Sequence, residues 1–176
     1  MKLLIIQTSP CHTASTLLVN AIYGLIPELF DKRFIGIWYD NFEQYFENII
    51  VVKNHDIDID KLIQQYDKLY NLVFICSERE EKNYVIDEKY KLYNNVVVFD
   101  FNELNETSSN PLIQIVENIY NKVKILLPDI ELDTTKCLER INRMNIRYDE
   151  IKHEPFDYID NFFGIHGSHR NRKNRS

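Results

Sequence analysis

The chain has 176 residues, 44% hydrophobic and 27% charged, with only 4 Gly and 5 Pro, which fits one globular domain with a real core and little linker. The formal net charge of −6 hides an asymmetry: residues 166–176 carry Arg170, Arg172, Lys173 and Arg175 and no acid, so the remainder stands at about −10 (−6 less the tail's +4). An acidic body repels phosphate backbones, which argues against general nucleic-acid binding, and the three widely spaced cysteines, Cys11, Cys76 and Cys137, match neither a disulfide framework nor a zinc site.

No stretch approaches 18 consecutive apolar residues, and the first apolar run is too short for a secretory signal. The expectation is therefore a soluble, cytoplasmic protein without a membrane partner. Residues 2–7 read as a short buried strand, and residues 15–25 as a helix with Leu17, Leu18, Ala21, Ile22 and Leu25 on one face. Residues 34–38 and 49–53 follow as strands. Residues 58–70 read as a helix with Asp58 as N-cap, residues 72–76 as a buried strand, 80–93 as a helix and 96–99 as a strand. Asn110-Pro111 opens a helix to residue 127, since proline suits a helix start. Residues 133–147 and 154–163 complete the helices. Apolar strands alternating with amphipathic helices predict an α/β fold, a parallel sheet with helices on both faces. In such sheets ligands bind beyond the carboxyl ends of the strands, so the residues after each strand hold the candidates.

The first such stretch is "QTSPCHTAST", residues 7–16. A phosphate loop joins a strand to a helix whose N-terminal amides converge on an anion. Against the pattern G-x-x-x-x-G-K-[ST], Ser9, Ala14, Ser15 and Thr16 take the four fixed places. The absent lysine disfavours a nucleotide triphosphatase. Hydroxyls and amides remain, suited to a smaller phosphate; the alternative is an ordinary turn with Ser/Thr capping. Next, "VVKNHDID" sets Lys53 and His55 two apart past a strand, a cation for a developing anion and a base near pH 7, unless they simply line a solvated loop. "VFICSERE" puts Ser77 and Arg79 beyond the following strand, and arginine suits forked phosphate contacts, although Glu78, Glu80 and Glu81 flank it. The acids of residues 100–106 read as capping and solvating groups.

Taken in order, these stretches resemble sulfotransferases that use 3′-phosphoadenosine-5′-phosphosulfate. The family's first loop, T-Y-P-K-S-G-T-T or P-R-S-G-[ST]-T, lies on residues 9–16, with His12 on its basic residue, Ala14 on its glycine, and Ser15 and Thr16 on its paired hydroxyls. Its K-T-H signature matches Lys53-Asn54-His55, and Arg79 is nearest to its 3′-phosphate arginine. Its later acidic turn and helix look like residues 101–127. The resemblance spans roughly residues 2–130. It implies a P-loop NTPase-like three-layer sandwich over residues 1–165, followed by a basic tail at 166–176. It also implies transfer of a sulfuryl group from the phosphosulfate co-substrate to a hydroxyl or amine acceptor of open class. In that reading His55 is the catalytic base, and Lys53 and His12 stabilise developing charge. Ser9, Thr13, Ala14, Ser15 and Thr16 form the 5′-phosphate loop. Ser77 and Arg79 hold the 3′-phosphate, the basic tail adds to that contact, and no metal is required. A nucleotide-binding protein that no longer transfers sulfate, and a P-loop kinase, are the alternatives.

Overall fold

The apolar runs become four parallel strands in the computed structural model, which describes residues 1–10, 13–29, 48–55 and 58–151. They are β1 (Lys2–Thr8), β2 (Ile49–Asn54), β3 (Tyr70–Glu78) and β4 (Val96–Asp100), in the order β2-β1-β3-β4. In register, Ile5 lies between Val51 and Val73, and Phe74 lies beside Val96. The strand expected at residues 34–38, the helix expected at 154–163 and the basic tail lie outside the described residues.

Strand alternation sorts the apolar side chains into two cores. Ile5, Val51, Ile75 and Phe99 pack on one face against the helices α1 (Ser15–Leu25), α4 (Leu112–Leu126) and α5 (Thr134–Ile151). Leu4, Ile6, Ile50, Val52, Phe74 and Cys76 pack on the other against α2 (Ile59–Tyr66) and the loop residues Ile86 and Tyr90. The result is three layers, the sheet between two covers, as an alternating strand–helix pattern dictates.

The segment 80–93, expected as one helix, is instead two 3₁₀ turns, Glu80–Lys82 and Tyr90–Leu92. The chain reverses at once. Arg79 and Tyr84 exchange backbone hydrogen bonds at 2.7 and 3.1 Å, and Asn83 sits at φ 56°, a left-handed conformation that a helix interior cannot hold. This excursion lays Ile86 and Tyr90 over the second core. A short helix, α3 (Phe101–Leu104), directly follows β4.

Helix α5 packs along α1. The Asp133 amide donates to the Leu25 carbonyl at 2.8 Å, and the Cys137 thiol reaches the Ala21 carbonyl at 3.4 Å. One turn forward on α5 is thus one turn back on α1, so the two run antiparallel and α5 climbs toward the carboxyl edge of the sheet. The seam depends on Gly24, where an added Cβ would stand 2.6 Å from the Cys137 Cα. No described helix is long and apolar enough to cross a membrane.

Candidate functional site

The described strands leave β1 for one neighbour, β2, and then cross back to the other, β3. Direction therefore reverses between β1 and β3, the place where open parallel sheets accept ligands beyond their carboxyl ends. Three small hydroxyl residues meet there. The Ser9 hydroxyl donates to the Thr8 carbonyl at 2.7 Å and accepts the Gln7 amide at 2.7 Å and the Ser77 N–H at 2.8 Å. The Thr13 hydroxyl donates to the Pro10 carbonyl at 2.8 Å, so at 2.9 Å it accepts from the Ser77 hydroxyl, which also lies 3.0 Å from Ser9 Oγ. Ser9, Thr13 and Ser77 are each fully buried. Their protons are spent on one another and on backbone carbonyls, so they set the shape of the loop from within. Gln7, also fully buried, supports them with its amide nitrogen, while its Oε1 has no hydrogen-bond partner.

After this cluster, Ala14 takes a left-handed conformation (φ 63°, ψ 23°) and α1 begins. That turn gives the chain its sharp entry into the helix. It is a conformation that glycine adopts without steric cost. The first turn of α1 has no side-chain cap and no acid. Helix geometry leaves the first N–H groups of α1 without intrahelical partners, and the positive end of the helix dipole lies at the loop.

Of the two residues expected past the second strand, Lys53 lies inside β2, which runs on to Asn54, and only His55 follows it; both close on this loop. Lys53, buried, donates from Nζ to Thr16 Oγ1 at 2.9 Å. His55, one residue past the strand and half-buried, places Nδ1 2.8 Å from the Ser9 carbonyl oxygen. A carbonyl only accepts, so Nδ1 carries the proton and the lone pair of the neutral imidazole is on Nε2. Burial pushes the His55 pKa below its ordinary 6.5; the Ser9 carbonyl opposes this, and the Lys53 ammonium adds to it. The ring is therefore neutral at pH 7, the form in which it accepts a proton.

Arg79 is less directly placed. Its guanidinium lies 3.9 Å from the Phe101 ring centroid and pairs with Glu81, whose Oε1 touches both Nε, at 2.5 Å, and Nη2. Ser15 is buried and Thr16 half-buried at the start of α1. His12 lies outside the described residues. Sequence reasoning missed Gln7 and Asn20. Asn20, buried, ties its amide nitrogen to the Thr16 carbonyl at 2.8 Å, and its Oδ1 has no partner. A glutamine ending an apolar run and an asparagine inside an otherwise apolar helix were the available signals.

A groove of about 690 Å³ opens at the opposite, amino edge of the sheet, among residues such as Asn48, Asn71, Asn95, Leu126 and Ile130. Its described lining has no lysine, arginine or histidine, so it lacks the charges that the carboxyl edge assembles. Among the described residues no group of three or more His, Cys, Asp or Glu stands together as a metal site. No family model, curated protein or solved structure matches this chain.

Proposed function

We propose that this protein is a sulfotransferase that uses 3′-phosphoadenosine-5′-phosphosulfate, with its donor seated on the loop between β1 and α1. The observation that carries the reading is the paired closure of Lys53 and His55 on that loop, at 2.9 Å to Thr16 and 2.8 Å to Ser9. Helix N-terminus and ammonium both favour an anion at one place, and a neutral imidazole stands beside it to receive a proton.

In the proposed reaction the acceptor oxygen or nitrogen attacks the sulfur of the donor. The bond from sulfur to the bridging oxygen breaks, and the bisphosphate leaves. His55 takes the acceptor's proton at Nε2. Lys53 stabilises charge on the sulfonate and leaving oxygen, with His12 assigned to assist. The 5′-phosphate rests on the amides that open α1 and on the Ser15 and Thr16 hydroxyls. Arg79 is assigned to the 3′-phosphate. Positioning and electrostatic stabilisation supply most of the acceleration in transfers of this kind.

A P-loop kinase is disfavoured by the same contact. Such enzymes use the hydroxyl at the place of Thr16 to hold magnesium; here that hydroxyl receives the Lys53 ammonium. The direct test is a comparison of melting temperature with adenosine 3′,5′-bisphosphate and with ATP·Mg²⁺. A ligand bound at 100 times its Kd adds about 2.7 kcal/mol to stability. A selective rise with the bisphosphate supports the donor assignment, and a selective rise with ATP·Mg²⁺ overturns it.

A further inference from the structure

We infer that Glu81 is an internal competitor for the donor's 3′-phosphate, occupying the Arg79 fork until a bound ligand displaces it. The inference rests on the donor assignment above and adds an affinity control to that site.

Arg79 is anchored at three points. The Arg79 main chain is fixed by its paired bonds to Tyr84, and its side chain is laid over Phe101 at 3.9 Å. Two of its donors, Nε and Nη2, converge on a single carboxylate oxygen of Glu81. Guanidinium donors of this kind bind phosphate oxygens as well as carboxylate oxygens, since each is an anionic acceptor within reach of two N–H groups. Position agrees with the chemistry. Arg79 and Ser77 are two apart beyond the last core residues of β3, and Ser77 is bonded to the loop hydroxyls of Ser9 and Thr13. The fork thus stands at the carboxyl edge of the sheet, one residue past β3 and over Phe101 at the exit of β4, the edge at which open parallel sheets accept ligands.

The two partners are unequally anchored. Arg79 is 24% exposed and stacked, whereas Glu81 is 52% exposed. Its tie to Arg79 spans only two residues, in a 3₁₀ turn whose closing residue, Asn83, is left-handed. A carboxylate held this loosely can swing into water when a dianionic phosphate enters, and Arg79 need not move. The phosphate then takes up the same two donors.

Calorimetric titration of the full chain with adenosine 3′,5′-bisphosphate and with adenosine 5′-monophosphate tests this, in the natural protein and in Glu81→Gln, Arg79→Gln and the double variant. Exposed ion pairs contribute about 0.2–1 kcal/mol, so Glu81→Gln should tighten the bisphosphate by about 1.4- to fivefold. It should leave the monophosphate unchanged, and the gain should vanish in the Arg79→Gln background. An unchanged bisphosphate affinity in Glu81→Gln, or an equal gain for both nucleotides, overturns the competitor while leaving the donor assignment in place. Absence of bisphosphate binding in all four proteins removes the donor assignment, and the competitor with it.

Discussion

β1 and β4 both end at the carboxyl edge, and both pass the chain to a helix, yet they finish that helix in opposite ways. After β4 the N-terminus of α3 is completed by its own residues. The Asp100 carboxylate accepts the Asn102 amide at 2.8 Å, the Glu103 carboxylate accepts the Asp100 amide at 2.9 Å, and Lys122 closes on Glu103 at 2.8 Å. After β1 the helix α1 opens with neither cap nor acid, and a lysine and a histidine approach instead. A capping box satisfies orphan amides with carboxylates supplied from within. An open N-terminus faced by a cation invites an anion from outside. The same connection is structural in one place and a candidate site in the other, and the difference is whether the connection caps itself with its own acids or is met by a cation and an imidazole from β2 and its exit.

The sharpest way to break this contrast is at His55. His55→Ala should lower sulfuryl transfer by about 10²–10⁴-fold while bisphosphate affinity stays within a few-fold. Near-normal turnover would remove the imidazole from the chemistry. The same group sets the pH response. Its pKa is lowered chiefly by burial, so the neutral base persists below the ordinary 6.5 and activity in the free enzyme should fall only on acidification beyond that point. The folded form loses stability in that direction too, since the unfolded chain protonates first. The acid limb of kcat/KM should disappear in His55→Ala.

The β4 exit should respond in the opposite sense. Glu103→Ala removes half of a capping box and the partner of Lys122, at a cost of about 1–2 kcal/mol in denaturant unfolding, with bisphosphate affinity unaffected. Burial raises the Glu103 pKa, but Lys122, the Asp100 amide and Asn118 together outweigh it and hold the carboxyl below its ordinary 4.5. Its stabilisation is therefore complete above that value and fades as pH falls through the lowered pKa, so Glu103→Ala should show a shallower acid slope. A loss of donor affinity in this variant would erase the distinction between the two exits.

Two smaller effects refine the picture. Deleting residues 168–176 should weaken the bisphosphate by about tenfold at low salt and less at 0.15 M, where screening acts within about 8 Å. Unchanged affinity at low salt would mark the basic segment as a solvated end. Ala14→Gly relieves a left-handed residue that costs an L side chain about 1–2 kcal/mol, partly offset by the freer unfolded chain; the expected gain in stability is about 0.5–1 kcal/mol. A loss would show that the Ala14 methyl group packs favourably enough to outweigh its backbone strain.

The sheet was legible because each buried strand is a nearly unbroken apolar run, and a strand buried on both faces leaves no other reading for Leu72 to Cys76. The capping roles of Asp58 and Asp100 were legible too, because a cap reaches only two or three residues along the chain. The excursion after β3 was not. Glu80, Glu81 and Lys82 are good helix formers, and the reversal is set by Asn83 and by pairing between Arg79 and Tyr84, which local propensity does not report. The site divides in the same way. Types and strand placement marked Ser9, Lys53, His55 and Ser77, but Ser77 meets Thr13 and Ser9 across 64 and 68 residues of chain. Only the fold reveals that those hydroxyls satisfy one another. The stacking of Arg79 on Phe101 was hidden for the same reason.

Strand polarity has a practical consequence for anyone attaching this molecule to a surface. Because β1 is parallel to its neighbours, Met1 stands at the amino edge, 76% exposed, while Thr8 ends at the loop about 23 Å away for seven residues of strand. A tether joined at Met1 leaves the loop facing solution. Helix α5 runs the other way, and its last residue, Ile151, stands toward the carboxyl edge, the edge that carries the loop. Immobilised through its first residue the protein presents its loop to solution.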